Sequence, residues 1–155
     1  MATRAEKDAC DLLDADHKQV KKMFKEYEEL TNSRGRTVAQ KKMDLARQIC
    51  HELTVHAQIE EEIFYPAFGR ATGDQQLVQH STKEHNEARE LISRVEATPT
   101  DARLMLELED AILHHVNDER EKMFPEARKS GKMDLMQLAD QLQARKTELM
   151  AAHAA

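Results

Sequence analysis

The sequence predicts an all-α fold, an antiparallel up-down four-helix bundle with an additional C-terminal helix. Three observations predict it. Only 4 Gly and 3 Pro interrupt 155 residues, aromatic residues make up 4% and Trp is absent, while the helix formers Ala, Leu, Met, Glu, Lys and Gln abound. Four segments carry apolar residues at a step of three or four. Short turn signals separate those segments, so successive helices fold back on one another. A chain of this length buries a real core; it is expected as a bundle over residues 1–131 and an amphipathic helix over 132–155, packed on the bundle or on a partner subunit.

The first segment places Leu13, His17, Val20, Phe24, Tyr27 and Leu30 on one stripe, and Asn32, Ser33 and Gly35 then stop it. The second runs through Val38, Leu45, Ile49, Leu53, His56, Glu60, Ile63 and Ala67 to a loop at Gly69 to Asp74. Within it Tyr65-Pro66 predicts a kink or an early break. The third carries Val78, Ser81, His85, Ala88, Ile92 and Val95, after which Thr98-Pro99-Thr100-Asp101 supplies a turn and a fresh N-cap. The fourth carries Leu104, Leu108, Ile112, His115, Glu119 and Met123 and ends near Ser130-Gly131. Leu135, Leu138, Leu142 and Leu149 continue at helical spacing in the tail.

The formal charge of -6 comes from intermixed signs, with no basic stripe to neutralise phosphates, so nucleic acid is not an expected partner. Lys18, Lys21, Lys22 and Lys25 read as a solvated helix face. The start, MATRAEKDACDLLDADH, lacks the apolar core of a signal peptide, and no run is long enough to cross a bilayer; the cytoplasm is the expected compartment and a membrane is not an expected partner. Cys10 and Cys50 are expected to be reduced, and two thiols are too few for a thiolate metal site.

Two copies of one pattern carry the chemistry: HAQIEEEIFYP from His56 and HVNDEREKMFP from His115. Each sets a Glu four residues after the His and a Pro ten residues after it. A four-residue step returns to nearly the same helix face, so imidazole and carboxylate point in one direction. His80 and Glu84 make a third match, read as a chance one; the other two pairs lie on the apolar stripe. Each half of the chain also has a lone inward His on its first helix, His17 or His85. Folding the halves together brings four His and two Glu to one place.

Burying an unpaired carboxylate costs on the order of several kcal/mol, and no Lys or Arg shares the stripes at this level, so the two Glu require cations. Neutral imidazole with carboxylate oxygen suits iron, manganese or zinc. Six ligands exceed what a closed structural zinc takes, whereas two ions fit if Glu60 and Glu119 bridge them. A redox-active ion with an open position could then bind dioxygen or peroxide. The Glu-x-x-His step of ferritin-type bundles does not occur in the chain.

The DADHKQVKKMF, HAQIEEEIFYP, KEHNEARELI and HHVNDEREKMFP stretches, spanning roughly residues 8–130, resemble the hemerythrin-like, or HHE cation-binding, domain family. The resemblance implies a non-heme di-iron centre, bridged by oxo or hydroxo and by carboxylate, with His17, His56, Glu60, His85, His115 and Glu119 as ligands. Oxygen-carrying hemerythrins have two His one turn apart on the third helix and an Asp on the fourth. Here Ser81 and Arg89 flank His85 by one turn and Glu119 stands for the Asp, so both irons are expected to be open. Reaction with O2, peroxide or nitric oxide, in sensing, storage or detoxification, is then expected at least as much as reversible carriage. The alternatives are a catalase- or peroxidase-like di-iron enzyme, and a metal-free helical interaction module. The chain is expected as a monomer or as a homo-oligomer joined through its C-terminal helix.

Glu61 and Glu62 read as solvated, about 100° and 160° around the helix from Glu60. His114 flanks the inward face and reads as exposed or half-buried, with a contact to a ligand as the alternative. His80 lies about 140° around its helix from His85 and is expected to face elsewhere. His51 and His153 read as surface residues, Tyr27 as too far from His17 to share its ion, and the Met residues as core filler.

Overall fold

The computed structural model describes residues 7–154, and side chains as far as residue 152. The first six residues, part of the stretch read as lacking a signal peptide, and the His153 side chain lie outside what is described. The chain forms α1 (Ala9–Thr31), α2 (Val38–Ile59), a π-helical turn (Glu60–Phe64), α3 (Tyr65–Thr72), α4 (Gln75–Ala97), α5 (Ala102–Asp118), a second π-turn (Glu119–Met123), α6 (Phe124–Ser130) and α7 (Leu135–Ala154). Because the π-turns continue their helices, four rods result, 9–31, 38–72, 75–97 and 102–130, with α7 added. This is the predicted all-α bundle with a C-terminal helix, and no strand occurs among the described residues.

Local chemistry sets the ends of the rods. Asp8 caps α1 through a capping box, its Oδ1 accepting from Asp11 N at 2.9 Å while Asp11 Oδ2 accepts from Asp8 N at 3.2 Å. Asp74 caps α4 and Asp101 caps α5, the latter accepting from the amides of Arg103 and Leu104. Gly73 (φ 73°) and Gly131 (φ 65°) close α3 and α6 in the left-handed conformation that a side chain resists.

At Tyr65-Pro66, read as a kink or an early break, the helix is disturbed but runs on through a π-turn, and the second Pro repeats it. Proline has no N–H to give and its ring collides with the carbonyl four residues back. The helix accommodates it by widening: Tyr65 N–H bonds to Glu60 O and Phe124 N–H to Glu119 O, five residues back in each case. The extra residue moves the buried stripe on by one. Phe64 and Phe68 are buried where Ile63 and Ala67, the expected core positions, are half-buried.

The core is two apolar clusters with a polar layer between them. One gathers Val20, Phe24, Ile49, Leu53, Leu108 and Ile112 with their neighbours. The other gathers Leu13, Ile59, Phe64, Phe68, Met123 and Phe124 and is completed by Leu138, Leu142 and Leu149 of α7, which packs on α1, α2 and the first π-turn. On α1 His17 sits between Leu13 and Val20, on the second rod His56 and Glu60 between Leu53 and Phe64, and on the fourth His115 and Glu119 between Ile112 and Met123. The four lysines of α1 are exposed. Cys10 and Cys50 are free and buried, and burial pushes both thiols up to about 12, which leaves them inert. No helix is long and apolar enough to cross a membrane.

Candidate metal centre

The structure brings all six sequence-predicted residues together. α1 supplies His17, α2 His56, α4 His85 and α5 His115, while Glu60 and Glu119 are the first residues of the two π-turns. Their donor atoms form two groups, His17, His56, Glu60 and Glu119, and Glu60, His85, His115 and Glu119; within each, ligand atoms lie within 4.8 Å of one another. Both carboxylates belong to both groups, as expected of residues bridging two ions. His17 Nε2 is 3.1 Å from Glu119 Oε1, His56 Nε2 is 3.4 Å and His85 Nε2 3.0 Å from Glu60 Oε1, and His115 Nε2 is 3.2 Å from Glu119 Oε2.

A ring of outer carboxylates aims the imidazoles. His17 Nδ1 lies 3.3 Å from Asp14 Oδ1, His56 Nδ1 3.0 Å from Asp16 Oδ2, His85 Nδ1 2.6 Å from Glu61 Oε2, and His115 Nδ1 2.7 Å from Glu84 Oε1. With a proton on Nδ1 shared outward, each Nε2 is left facing the centre, the arrangement that fixes tautomer and ring orientation in histidine metal ligands. The carboxylates are themselves held: Asp16 accepts from Lys146 Nζ at 2.6 Å, Glu61 meets Arg89 at 2.9 Å and Asp14 meets Arg120 at 3.3 Å. Sequence reasoning missed Asp14, Asp16 and Glu84 and placed Glu61 in solvent. Asp14 had a signal in its place three residues before His17; Asp16 and Glu84 are 40 and 31 residues from His56 and His115 and had none. Glu62 is exposed and bonded to Arg145 at 2.8 Å, and His114 is exposed, both as read.

The electrostatics fit a cation. Burial alone would push Glu60 and Glu119 up; the surrounding imidazoles override it, holding Glu60 well below its usual value and Glu119 below it. Burial likewise opposes charge on His56, His85 and His115, yet Glu60, Glu119 and the outer carboxylates raise all three, His115 to about 12. Protons therefore do the neutralising here that a metal ion would do. They do it incompletely. Nε2 of His17 and of His56, Oε2 of Glu60 and Oε1 of Glu119 are buried without a hydrogen-bond partner; the two Nε2 atoms lie 3.1 Å from Glu119 Oε1 and 3.4 Å from Glu60 Oε1 without bonding to them. Each such orphan costs about 1–3 kcal/mol.

Tyr65 is the residue of the polar layer that periodicity concealed. Its hydroxyl donates to Glu119 Oε2 at 2.6 Å and lies 3.2 Å from Glu60 Oε1, 3.1 Å from His85 Nε2 and 3.3 Å from His115 Nε2. In a regular helix Tyr65 would stand about 140° from Glu60; the π-turn brings the two onto one face. Phe124 holds the matching place in the second copy and stacks on His17, with centroids 6.1 Å apart. The halves, expected to be equally open, are thus unequal: a phenol faces His85 and His115, a bare phenyl ring faces His17.

The family model of the hemerythrin HHE cation binding domain matches residues 8–127. Neither the curated proteins nor the solved structures compared with the chain gave a match. The matched span covers the four rods almost completely and includes all six converging residues, and the chain belongs to the hemerythrin HHE cation-binding domain family.

Proposed function

We propose that this protein holds two iron ions through His17, His56, Glu60, His85, His115 and Glu119 and that they react with dioxygen, peroxide or nitric oxide. The observation that carries the reading is the pair of four-donor groups sharing both carboxylates. Iron is taken from the family; the donor set suits manganese or zinc as well. When bound, iron would supply a redox-active Lewis acid with room for a small ligand.

This chain's residues do the rest. The outer carboxylates hold the imidazoles in the metal-binding tautomer, and the two glutamates offset part of the charge of two cations. A cavity of about 30 Å³ lies against His17, His56, His85 and His115, walled by Val20, Leu53, Ile92 and Val116. It has space for a diatomic molecule or a water. Tyr65 sets a hydroxyl beside Glu119, able to share a proton with an oxygen ligand or to join the ligand set itself. The bundle of residues 1–131 is the reactive unit in this reading, and the 132–155 segment braces it.

Iron content and the visible spectrum of aerobically purified protein test the proposal. About two irons per chain are expected, with oxo-bridge absorption that responds to peroxide, and Glu60→Gln and Glu119→Gln are expected to lose metal. A folded wild-type protein that takes up no iron on reconstitution would overturn it. Sustained peroxide turnover would identify the enzyme, and a stable reversible oxygen adduct the carrier.

A further inference from the structure

Apart from the buried centre, ligating side chains gather where α4 and α5 lie side by side. His80 Nε2 is 3.2 Å from Glu84 Oε2 and 3.2 Å from Asp118 Oδ2. The donor atoms of His80, Glu84 and Asp118 all lie within 4.8 Å of one another. His114 Nε2 flanks both acids, 3.3 Å from Glu84 Oε2 and 3.5 Å from Asp118 Oδ2. Each helix contributes an imidazole and a carboxylate one turn apart, His80 with Glu84 and His114 with Asp118, so the faces meet as two chelating pairs. The third His-x-x-x-Glu match, read from the sequence as chance, is one of these pairs.

A second observation concerns Glu84 alone. It is 9% exposed, and its Oε2 is buried, turned toward the two imidazoles and without a hydrogen-bond partner. Surface carboxylates seldom tolerate this, since water is near. The glutamate is held so because its other oxygen is engaged by His115 Nδ1 at 2.7 Å. Lys122 Nζ approaches Asp118 Oδ1 at 3.6 Å, but on a long, 59% exposed side chain that can turn into solvent.

We propose that His80, Glu84 and Asp118, with His114 as a fourth donor, form an outer site for one divalent first-row metal ion. Two imidazoles with two carboxylates are a donor set for zinc, ferrous or manganous ions, and the exposure of His80 and His114 leaves the ion open to solvent. Glu84 would then lie between metals, one oxygen on the outer ion and the other on His115 of the buried centre. The outer site does not depend on what fills the inner one.

Zinc ion is the probe. Iron-reconstituted full-length protein is titrated with Zn²⁺ by calorimetry at neutral pH, then desalted and analysed for zinc and iron, beside His80→Ala/Asp118→Asn and His114→Ala. The wild type is expected to retain one zinc per chain more than the double variant at equal iron content, and His114→Ala is expected to bind that zinc more weakly. Equal zinc content and affinity in all three proteins would overturn the site. A zinc difference in proteins that hold no iron would support the outer site while counting against the di-iron reading.

Discussion

Each of the four histidines turns Nδ1 to an acid outside the layer and Nε2 toward its centre, and for His56, His85 and His115 the surrounding carboxylates set how the metal-free protein responds to pH. His56, His85 and His115 titrate above the usual 6.5, so the stability they contribute is complete below 6.5 and is lost as pH rises through their raised values. Glu60 and Glu119 titrate below the usual 4.5, so their contribution is complete above 4.5 and is lost as pH falls through their lowered values. Chelator-stripped protein is therefore expected to melt highest between about pH 4.5 and 6.5 and to weaken steadily toward pH 9. Metal uptake must displace the same protons and runs the other way, tightening as pH rises. Melting curves of stripped and loaded protein at pH 5 and 8 check both signs; a stripped protein most stable at pH 8 would refute the imidazolium account. At the same scale, Tyr65→Phe is expected to leave iron content unchanged but to remove any phenolate-to-iron absorption and alter the peroxide rate, because it keeps the ring stacked on His85 and loses only the hydroxyl bonded to Glu119. An unaltered spectrum and rate would show that the phenol turns away once metal is bound.

Among the elements, α5 is the cleanest test of how local signals set a site residue's place. It carries His115 and begins at Asp101, whose Oδ1 accepts from two first-turn amides. Asp101→Ala is expected to cost about 1 kcal/mol, lowering the melting temperature by roughly 2–4 °C in a chain of this size. Iron content should not change, since the cap is far along the helix from His115; a loss of metal would mean that α5 shifts in register. That cap was legible because Asp before an apolar run admits few other readings. The six inward residues were legible for a similar reason, since polar side chains on an apolar stripe need a partner. The stripe beyond Glu60 was not. Three-or-four periodicity assigns Ile63 and Ala67 to the core, and a single extra residue in the π-turn hands those places to Phe64 and Phe68 and brings Tyr65 into the layer. Pro66 announced a disturbance, and its form depended on packing that no local pattern encodes. Asp16 to His56 and Glu84 to His115 were hidden likewise, being contacts between helices whose rotation the spacing leaves open.

Across the whole molecule, the polar layer stands between two apolar clusters, and α7 seals the cluster built on the first π-turn. Buried Leu138, Leu142 and Leu149 each contribute roughly 1.5–3 kcal/mol, a sum comparable with the total stability of a typical domain, about 5–15 kcal/mol. Ending the chain after Gly131 is thus expected to expose Ile59 and Phe64, bring a large fall in melting temperature and promote association. α7 also reaches the layer without touching it: Lys146 Nζ holds Asp16 Oδ1 at 2.6 Å, and Asp16 Oδ2 faces His56 Nδ1 at 3.0 Å. Lys146→Ala keeps every leucine of α7, so it separates bracing from packing. It is expected to melt close to wild type yet bind iron about tenfold more weakly, the lower end of what losing support behind a ligand costs. Asp16→Asn should do more, since it weakens the contact to His56 directly. If Lys146→Ala held iron as tightly as wild type while the truncated chain lost it, α7 would serve the centre by closing the apolar core; the reverse pattern would make Lys146 and Asp16 the route by which the C-terminal helix positions His56.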